Sequence, residues 1–362
     1  MPGREFGGDA VLAFREATNR DPNYAKAYYR VGRIFQVQKS YDSMNEAYQN
    51  AIKADASFPL TYHSYFLYYQ YKDVALAKDN LDKYIANSDK DCNSDYYLAD
   101  YLYRAGKYNE SLDKAKAMEA GDCKDFARVN YLYALNYDKL NDTANAKNYL
   151  DNFFTAIQPD KILPTDYEFA AKFYGKTSGS TATAINYYLQ AAELSSAKNE
   201  KIDYINAAAK LAADAKMLGE QIKLTSKAAD LKGGFQENDY YTLTKAAVDA
   251  KEYTTADSLS KLYITAFPDK PQGYAFNVSV AKAVDTDTTK GLAVEPINQY
   301  NVFLLKDEEK NKKTVYGNYY YLLIYYAQKA GDIKSAIDIT NKMMELYKEG
   351  EEYNFFFFFN EQ

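Results

Sequence analysis

A helix–turn–helix spacing that returns about every 34 residues constrains this chain more than any other feature. The clearest copy runs from Ala25 to Phe58. Its apolar residues recur at the spacing of two amphipathic helices joined by a short turn. With Ala25 as position one, Tyr28 stands at four, Val31 at seven, Gly32 at eight and Phe35 at eleven. Tyr41, Met44, Tyr48 and Ala51 follow at seventeen, twenty, twenty-four and twenty-seven.

Copies of this pattern cover nearly the whole chain. One carries Leu98, Ala99 and Leu102, the turn Ala105-Gly106-Lys107-Tyr108, then Ser111 and Ala115. Another sets Tyr133, Ala134 and Tyr137 against Ala146, Leu150 and Phe153. The stretch from Glu200 to Gly233 is Ala-rich and the least faithful. Pro159 and Pro164 bracket a longer connection, and Asp285 to Gly291 is a polar insert expected to form a solvent-facing loop. The mixed charges of Lys306 to Lys313 read as a solvated connection. The count is about nine helix pairs after a leading single helix (Asp9 to Pro22).

These offsets resemble the tetratricopeptide repeat (TPR), whose pattern places a large aromatic, Leu, Gly, Tyr, then Ala, Phe, Ala at the same positions. Met44 departs from it where a small residue is usual. The resemblance implies an all-α fold, an α-α superhelix in which stacked hairpins form a concave groove. A continuous solenoid is expected over 9–352, after a disordered leader or foreign remnant at 1–8 and before an aromatic tail at 353–362. The leading helix reads as half a repeat. The chain is therefore expected to have been cut from a longer protein, with a natural N-terminal cap as the alternative.

Composition removes several function classes. The 362 residues carry a net charge of -6, which disfavours nucleic acid, a ligand that needs a basic stripe. No apolar run approaches the roughly 20 residues that span a bilayer, and Met1–Gly8 has no signal-peptide pattern. Two Cys and one His leave few ligands for a metal, so no metal or cofactor is expected. Cys92 and Cys123 precede the first helices of adjacent repeats, positions that stacking usually holds apart, and are expected to be free thiols. The turn Gly175-Lys176-Thr177-Ser178 lacks both the first Gly and the preceding strand of a phosphate-binding loop.

In the TPR family, positions five and nine of each first helix face the groove. Carried across, position five gives Tyr29, His63, Tyr96, Tyr131, Glu168, Tyr241 and Tyr321, and position nine gives Arg33, Leu67, Asp100, Leu135, Lys172, Lys245 and Tyr325; all but Glu168, Leu67, Leu135 and Lys172 are the candidate contacts. Tyr offers contact area and a hydrogen bond while freezing only two side-chain torsions, so a tyrosine ladder suits binding. With 39 Tyr in the chain, several fall at any chosen position, and core packing between helices is the competing account. The Lys, Arg and Asn clamp that grips peptide carboxylates in this family is not supported: Leu60, His63 and Leu67 occupy the second repeat. His63 has no Ser, Cys or carboxylate pair beside it in the pattern, so no catalytic constellation is expected.

The resulting expectation is a non-catalytic scaffold that binds a protein or peptide in the tyrosine-lined groove. A glycan-binding protein using the same aromatic faces is the alternative. Tyr253-Thr254-Thr255-Ala256-Asp257-Ser258 and Gly291-Leu292-Ala293-Val294-Glu295-Pro296 look similar to long TPR proteins of Bacteroidetes. That resemblance implies the periplasm or cell envelope of a Gram-negative bacterium, with the cytoplasm as alternative. The run Phe355–Phe359 is an aggregation hazard when exposed. It is expected to fold onto the last pair or to mediate self-association.

Overall fold

The computed structural model describes residues 5–70 and 72–346. Phe355–Phe359 lies outside them. Among the described residues the fold is all-α. Helix α1 (Glu5–Arg20) begins before the Asp9 start suggested by the repeat offsets. Nine antiparallel pairs follow: α2 (Ala25–Val37) with α3 (Tyr41–Ala54), α4 (Pro59–Tyr69) with α5 (Val74–Asn87), α6 (Cys92–Arg104) with α7 (Tyr108–Ala120), and α8 (Arg128–Lys139) with α9 (Thr143–Ala156). Beyond a single 3-10 turn at Pro159–Lys161 come α10 (Pro164–Lys176) with α11 (Thr181–Leu194), and α12 (Lys198–Asp214) with α13 (Leu218–Lys232). The last are α14 (Glu237–Asp249) with α15 (Tyr253–Ala266), α16 (Pro271–Val284) with α17 (Val294–Leu304), and α18 (Glu308–Ile324) with α19 (Ile333–Glu345). The chain divides into two compact units, one ending at Ile162 and one beginning at Leu163, inside the proline-bracketed connection.

The first complete pair shows why position eight is Gly. A Cβ on Gly32 would stand only 2.3 Å from Cδ1 and Cε1 of the Tyr48 ring. Its absence lets α2 approach α3 until Tyr48 and Ala51 are fully buried. The same logic of small against large recurs: Ala77 and Leu81 close on Phe66, and Ala99 on Leu112 and Ala115. Met44, which departs from the small-residue pattern, is itself buried against Tyr48 and Tyr65. The Ala-rich pair α12/α13 retains a core, with Ile205, Ala208, Ala212, Leu224 and Ala228 buried together.

One turn geometry joins five of the pairs. The N–H of the third turn residue donates to a carbonyl five residues back: Ser40 to Phe35, Lys107 to Leu102, Asp142 to Tyr137, Met217 to Ala212 and Glu252 to Ala247, all at 2.8–2.9 Å. The preceding residue takes a positive φ, between 57° and 76°. That is the closure by which helices satisfy their last carbonyls, and Gly suits it best. Gly106 fills it in one turn, whereas Lys39, Asn141, Lys216 and Lys251 fill the others. A non-Gly residue there costs roughly 1–2 kcal/mol, which packing of the two helices offsets.

Three expectations change. Cys92 and Cys123 are not free thiols; they form a disulfide with Cα atoms 5.5 Å apart. Cys92 is the first residue of α6, while Cys123 lies in the turn after α7, five residues before α8. An antiparallel hairpin returns the end of its second helix to the start of its first, so the bond closes one hairpin rather than bridging equivalent positions of two. Lys306–Lys313 is exposed but is not a connection, because Glu308–Lys313 forms the opening turns of α18. Glu308 and Glu309 suit a helix start, where unpaired N–H groups favour negative charge. The Asp285–Gly291 insert is mostly exposed, yet Asp285 itself is buried and accepts from the N–H groups of Lys290 and Leu292 at 3.1 Å each. That carboxylate organises the loop from within.

Candidate functional site

In the first unit the groove positions are mostly packed. Tyr29 lies against Tyr48 and Phe58, with ring centroids 6.1 and 5.5 Å apart. Arg33 is exposed and donates to Gln36 Oε1, which also accepts from the Tyr48 hydroxyl. His63 sits between Tyr84 and Tyr97 at 4.9 and 4.7 Å. Burial, and then the nearby Arg33 charge, hold its imidazole below the usual pKa of 6.5. Its buried Nε2 has no hydrogen-bond partner among the described residues. Tyr96 packs against Tyr97 and Phe126, each at 6.0 Å.

Asp100 is only 5% exposed and meets Arg104 Nε at 2.7 Å. Burial raises its carboxyl pKa, against the pull of Arg104 and Arg128. Tyr131 is 8% exposed, its ring 4.9 Å from Phe153, with the Arg128 guanidinium over both rings.

The second unit differs. Tyr241 on α14 is 40% exposed and touches Phe276 of α16 at 5.5 Å. One turn further along α14, Lys245 pairs with Asp249 at 2.7 Å, which raises the ammonium pKa. Two clefts share Tyr241 as a wall. One, of about 550 Å³, runs between α14 and the α12–α13 turn and is lined by Lys216, Leu218, Gln221, Thr242, Lys245 and Ala246 among others. The other, of about 530 Å³, opens where α14 begins, with Gln236, Asn238, Tyr263, Phe267 and Gln272 in its walls. Burial, and then the Glu237 charge, push the Tyr263 phenol up to about 12. Its hydroxyl therefore remains a donor, 3.2 Å from Glu237 Oε1. Each wall thus offers apolar surface with a few hydrogen-bonding groups, the usual make-up of a ligand cleft.

Tyr321 and Tyr325 lie at neither cleft. The Lys282 ammonium stands 4.5 Å from the centre of the Tyr321 ring, and burial lowers the lysine pKa. The Tyr325 ring lies where a Cβ on Gly291 would be, so the α16–α17 insert packs directly on it. Of the ten groove residues, then, the structure brings Tyr241 and Lys245 together at an open cleft. Sequence reasoning missed Lys216, Thr242 and the α14 start as cleft walls; only Lys216, at a turn usually filled by Gly, carried a local signal. Among the described residues no group of three or more His, Cys, Asp and Glu side chains is placed to hold a metal ion. No described helix is long and apolar enough to cross a membrane.

Neither a family model nor a curated protein sequence matches the chain. Among solved structures, it is similar to the C-terminal part of a TPR repeat-containing protein from Cytophaga hutchinsonii, at 20% identity and a TM-score of 0.37, over 71% of this chain and 97% of that one. It is also similar to PilF of Pseudomonas aeruginosa, at 15% identity and a TM-score of 0.37, over 72% and 99% of the two chains. A third similarity is to a signal-transduction ATPase with a tetratricopeptide repeat sensor from Pyrococcus horikoshii, at 14% identity and a TM-score of 0.44, over 89% of this chain and 52% of that one. The fold is of the tetratricopeptide-repeat kind. Its own marks are the Gly32–Tyr48 approach, the recurring five-residue turn closure and the succession of antiparallel pairs within each unit.

Proposed function

We propose that this TPR chain is a non-catalytic scaffold that binds a peptide or protein segment along α14. The supporting observation is the pair of clefts that share the exposed Tyr241, a rigid aromatic with ring surface left open to a ligand beside its contact with Phe276. Large aromatic side chains with a polar tip are enriched at protein interfaces. Lys245 beside it holds only an exposed partner, Asp249, and exposed pairs are worth little. A ligand carboxylate or carbonyl can compete for that ammonium.

The Cys92–Cys123 disulfide supports an oxidising compartment, in keeping with a periplasmic or envelope location. A sugar ring stacked on Tyr241, held by the amides of Gln236, Asn238 and Gln272, is the rival occupant of the same clefts.

The test is a peptide array and a glycan array probed with the full chain and with Tyr241→Ala. Saturable peptide binding lost in Tyr241→Ala, with helical content intact, is the expected result. Sugar-competed binding turns the reading to the glycan. Peptide binding indifferent to Tyr241 removes α14 as the site.

A further inference from the structure

A third cleft of the second unit lies elsewhere, between α15 and α17, with α16 as its floor and a volume of about 660 Å³. Seven of the other pairs are joined by three or four residues; α16 and α17 are joined by nine, 285–293, and α18 and α19 by eight, six of which, Tyr325–Ala330, form a π-helical turn. Leu292 of that insert lines the cleft with Val280 and Val284 of α16. These aliphatic groups make an apolar base beneath polar rims.

Two carboxylates, Asp257 and Glu295, and one ammonium, Lys261, stand on the rims, with Asn277 in the floor. Asn277, 4% exposed, stands in the floor and donates through Nδ2 to Asp257 Oδ1 and to Ser260 Oγ, both at 3.1 Å. Those partners fix which way the amide points: a carboxylate only accepts, and the Ser260 hydroxyl already donates to the Asp257 carbonyl. The Asn277 carbonyl oxygen must therefore lie on the opposite side. It accepts from no described residue. On the α17 rim Glu295 accepts from Gln299 at 2.8 Å and meets no cation within ion-pair distance among the described residues. On the α15 rim Asp257 holds Lys261, exposed, at 2.7 Å.

We infer that this cleft is a docking site for a basic side chain of a partner protein, an Arg or Lys whose methylene stem lies on Val280, Val284 and Leu292. Its donors reach the Asn277 carbonyl and the Glu295 carboxylate. The chemistry matches on three counts. An acceptor with no donor from the protein can take one from a ligand, a carboxylate without a cation favours one, and a long aliphatic stem with a charged end covers apolar floor while keeping its head among polar groups. A chain of net charge -6 also attracts basic partners over longer range. Lys261 is then the internal competitor, since its ammonium occupies Asp257 when no partner is bound. The site is separate from the α14 clefts, and neither reading depends on the other.

The experiment titrates the full chain against a fluorescein-labelled peptide with one Arg between two Leu, read by anisotropy, and against the same peptide with citrulline, which keeps the shape and lacks the charge. The Arg peptide is expected to saturate, and the citrulline peptide to bind at least about tenfold more weakly, as for loss of a charged hydrogen-bonding group. Glu295→Gln weakens the Arg peptide by about the same factor, whereas Lys261→Met, which removes the competitor, strengthens it. That opposite sign separates the proposal from general damage to the fold. Equal binding of citrulline, no saturation at millimolar peptide, or indifference to both rim variants overturns it. Agmatine binding as tightly as the peptide overturns the partner-protein source in favour of a small amine.

Discussion

Removing the disulfide is the most informative single perturbation of the first unit. The bond joins residues 31 apart and closes hairpin α6/α7 on itself. In the chain-entropy account, opening a loop of that length costs about 3.7 kcal/mol at room temperature. The bond also holds the turn that carries Phe126, whose ring packs on Tyr96, and Cys123 is itself part of the buried cluster with Leu112, Met118 and Leu132. Cys92→Ala/Cys123→Ala is therefore expected to lose about 3–4 kcal/mol, concentrated in α6 to α8, because each repeat contacts mainly its neighbours. With a urea dependence of about 2–3 kcal/mol per molar, the local unfolding midpoint falls by roughly 1–2 M. Hydrogen exchange across a urea series, resolved by segment, reads that loss in α6–α8 and spares α14–α19. A midpoint unchanged in α6–α8 would refute the stabilising role. Two iodoacetamide adducts on denatured, unreduced protein would refute the bond itself.

Gly32→Ala drives a methyl to within 2.3 Å of the Tyr48 ring edge, so the small gain of about 1 kcal/mol in helix preference is outweighed by overpacking of roughly 1–3 kcal/mol; a lower melting temperature is expected, and a higher one contradicts the close approach. Tyr131→Ala, at a buried position, is expected to cost about 3–5 kcal/mol, whereas Tyr241→Ala stays within about 0.5 kcal/mol; equal losses in denaturant titration would erase the distinction between core and cleft tyrosines. His63 has a folded pKa lowered from 6.5 by burial. The unfolded chain binds its proton first, so the contribution of neutral His63 is complete above about pH 6.5 and is lost as pH falls through the lowered folded value. His63→Gln should flatten that part of the stability profile between neutral and mildly acid pH; a profile identical to the parent would remove His63 as its source.

The repeat offsets made the helices legible because they are local. A 3.6-residue period and a turn that satisfies the final carbonyls need only neighbouring residues, and both recur through α2/α3, α6/α7 and α8/α9 with little variation. Lys306–Lys313 misled because charge marks solvation without distinguishing a loop from a helix start. Cys92 and Cys123 misled because the spacing between repeats says nothing about where the turn after α7 is led. A hairpin brings its two ends together, and that proximity exists only in three dimensions.

The tyrosines divide in the same way. Position five is Tyr in Tyr29, Tyr96, Tyr131 and Tyr241 alike, and one-dimensional pattern cannot rank them. Tyr131 is covered by Phe153 and Arg128 from its own unit, while Tyr241 stands between two clefts because α14 leaves space against the α12–α13 turn. The chain's sequence by itself determined that it forms antiparallel helical pairs and where nearly all of them begin, since amphipathic periodicity and capping are short-range. Only the tertiary structure decided which aromatic and polar groups remain open to a ligand, since burial depends on how each pair packs against the next.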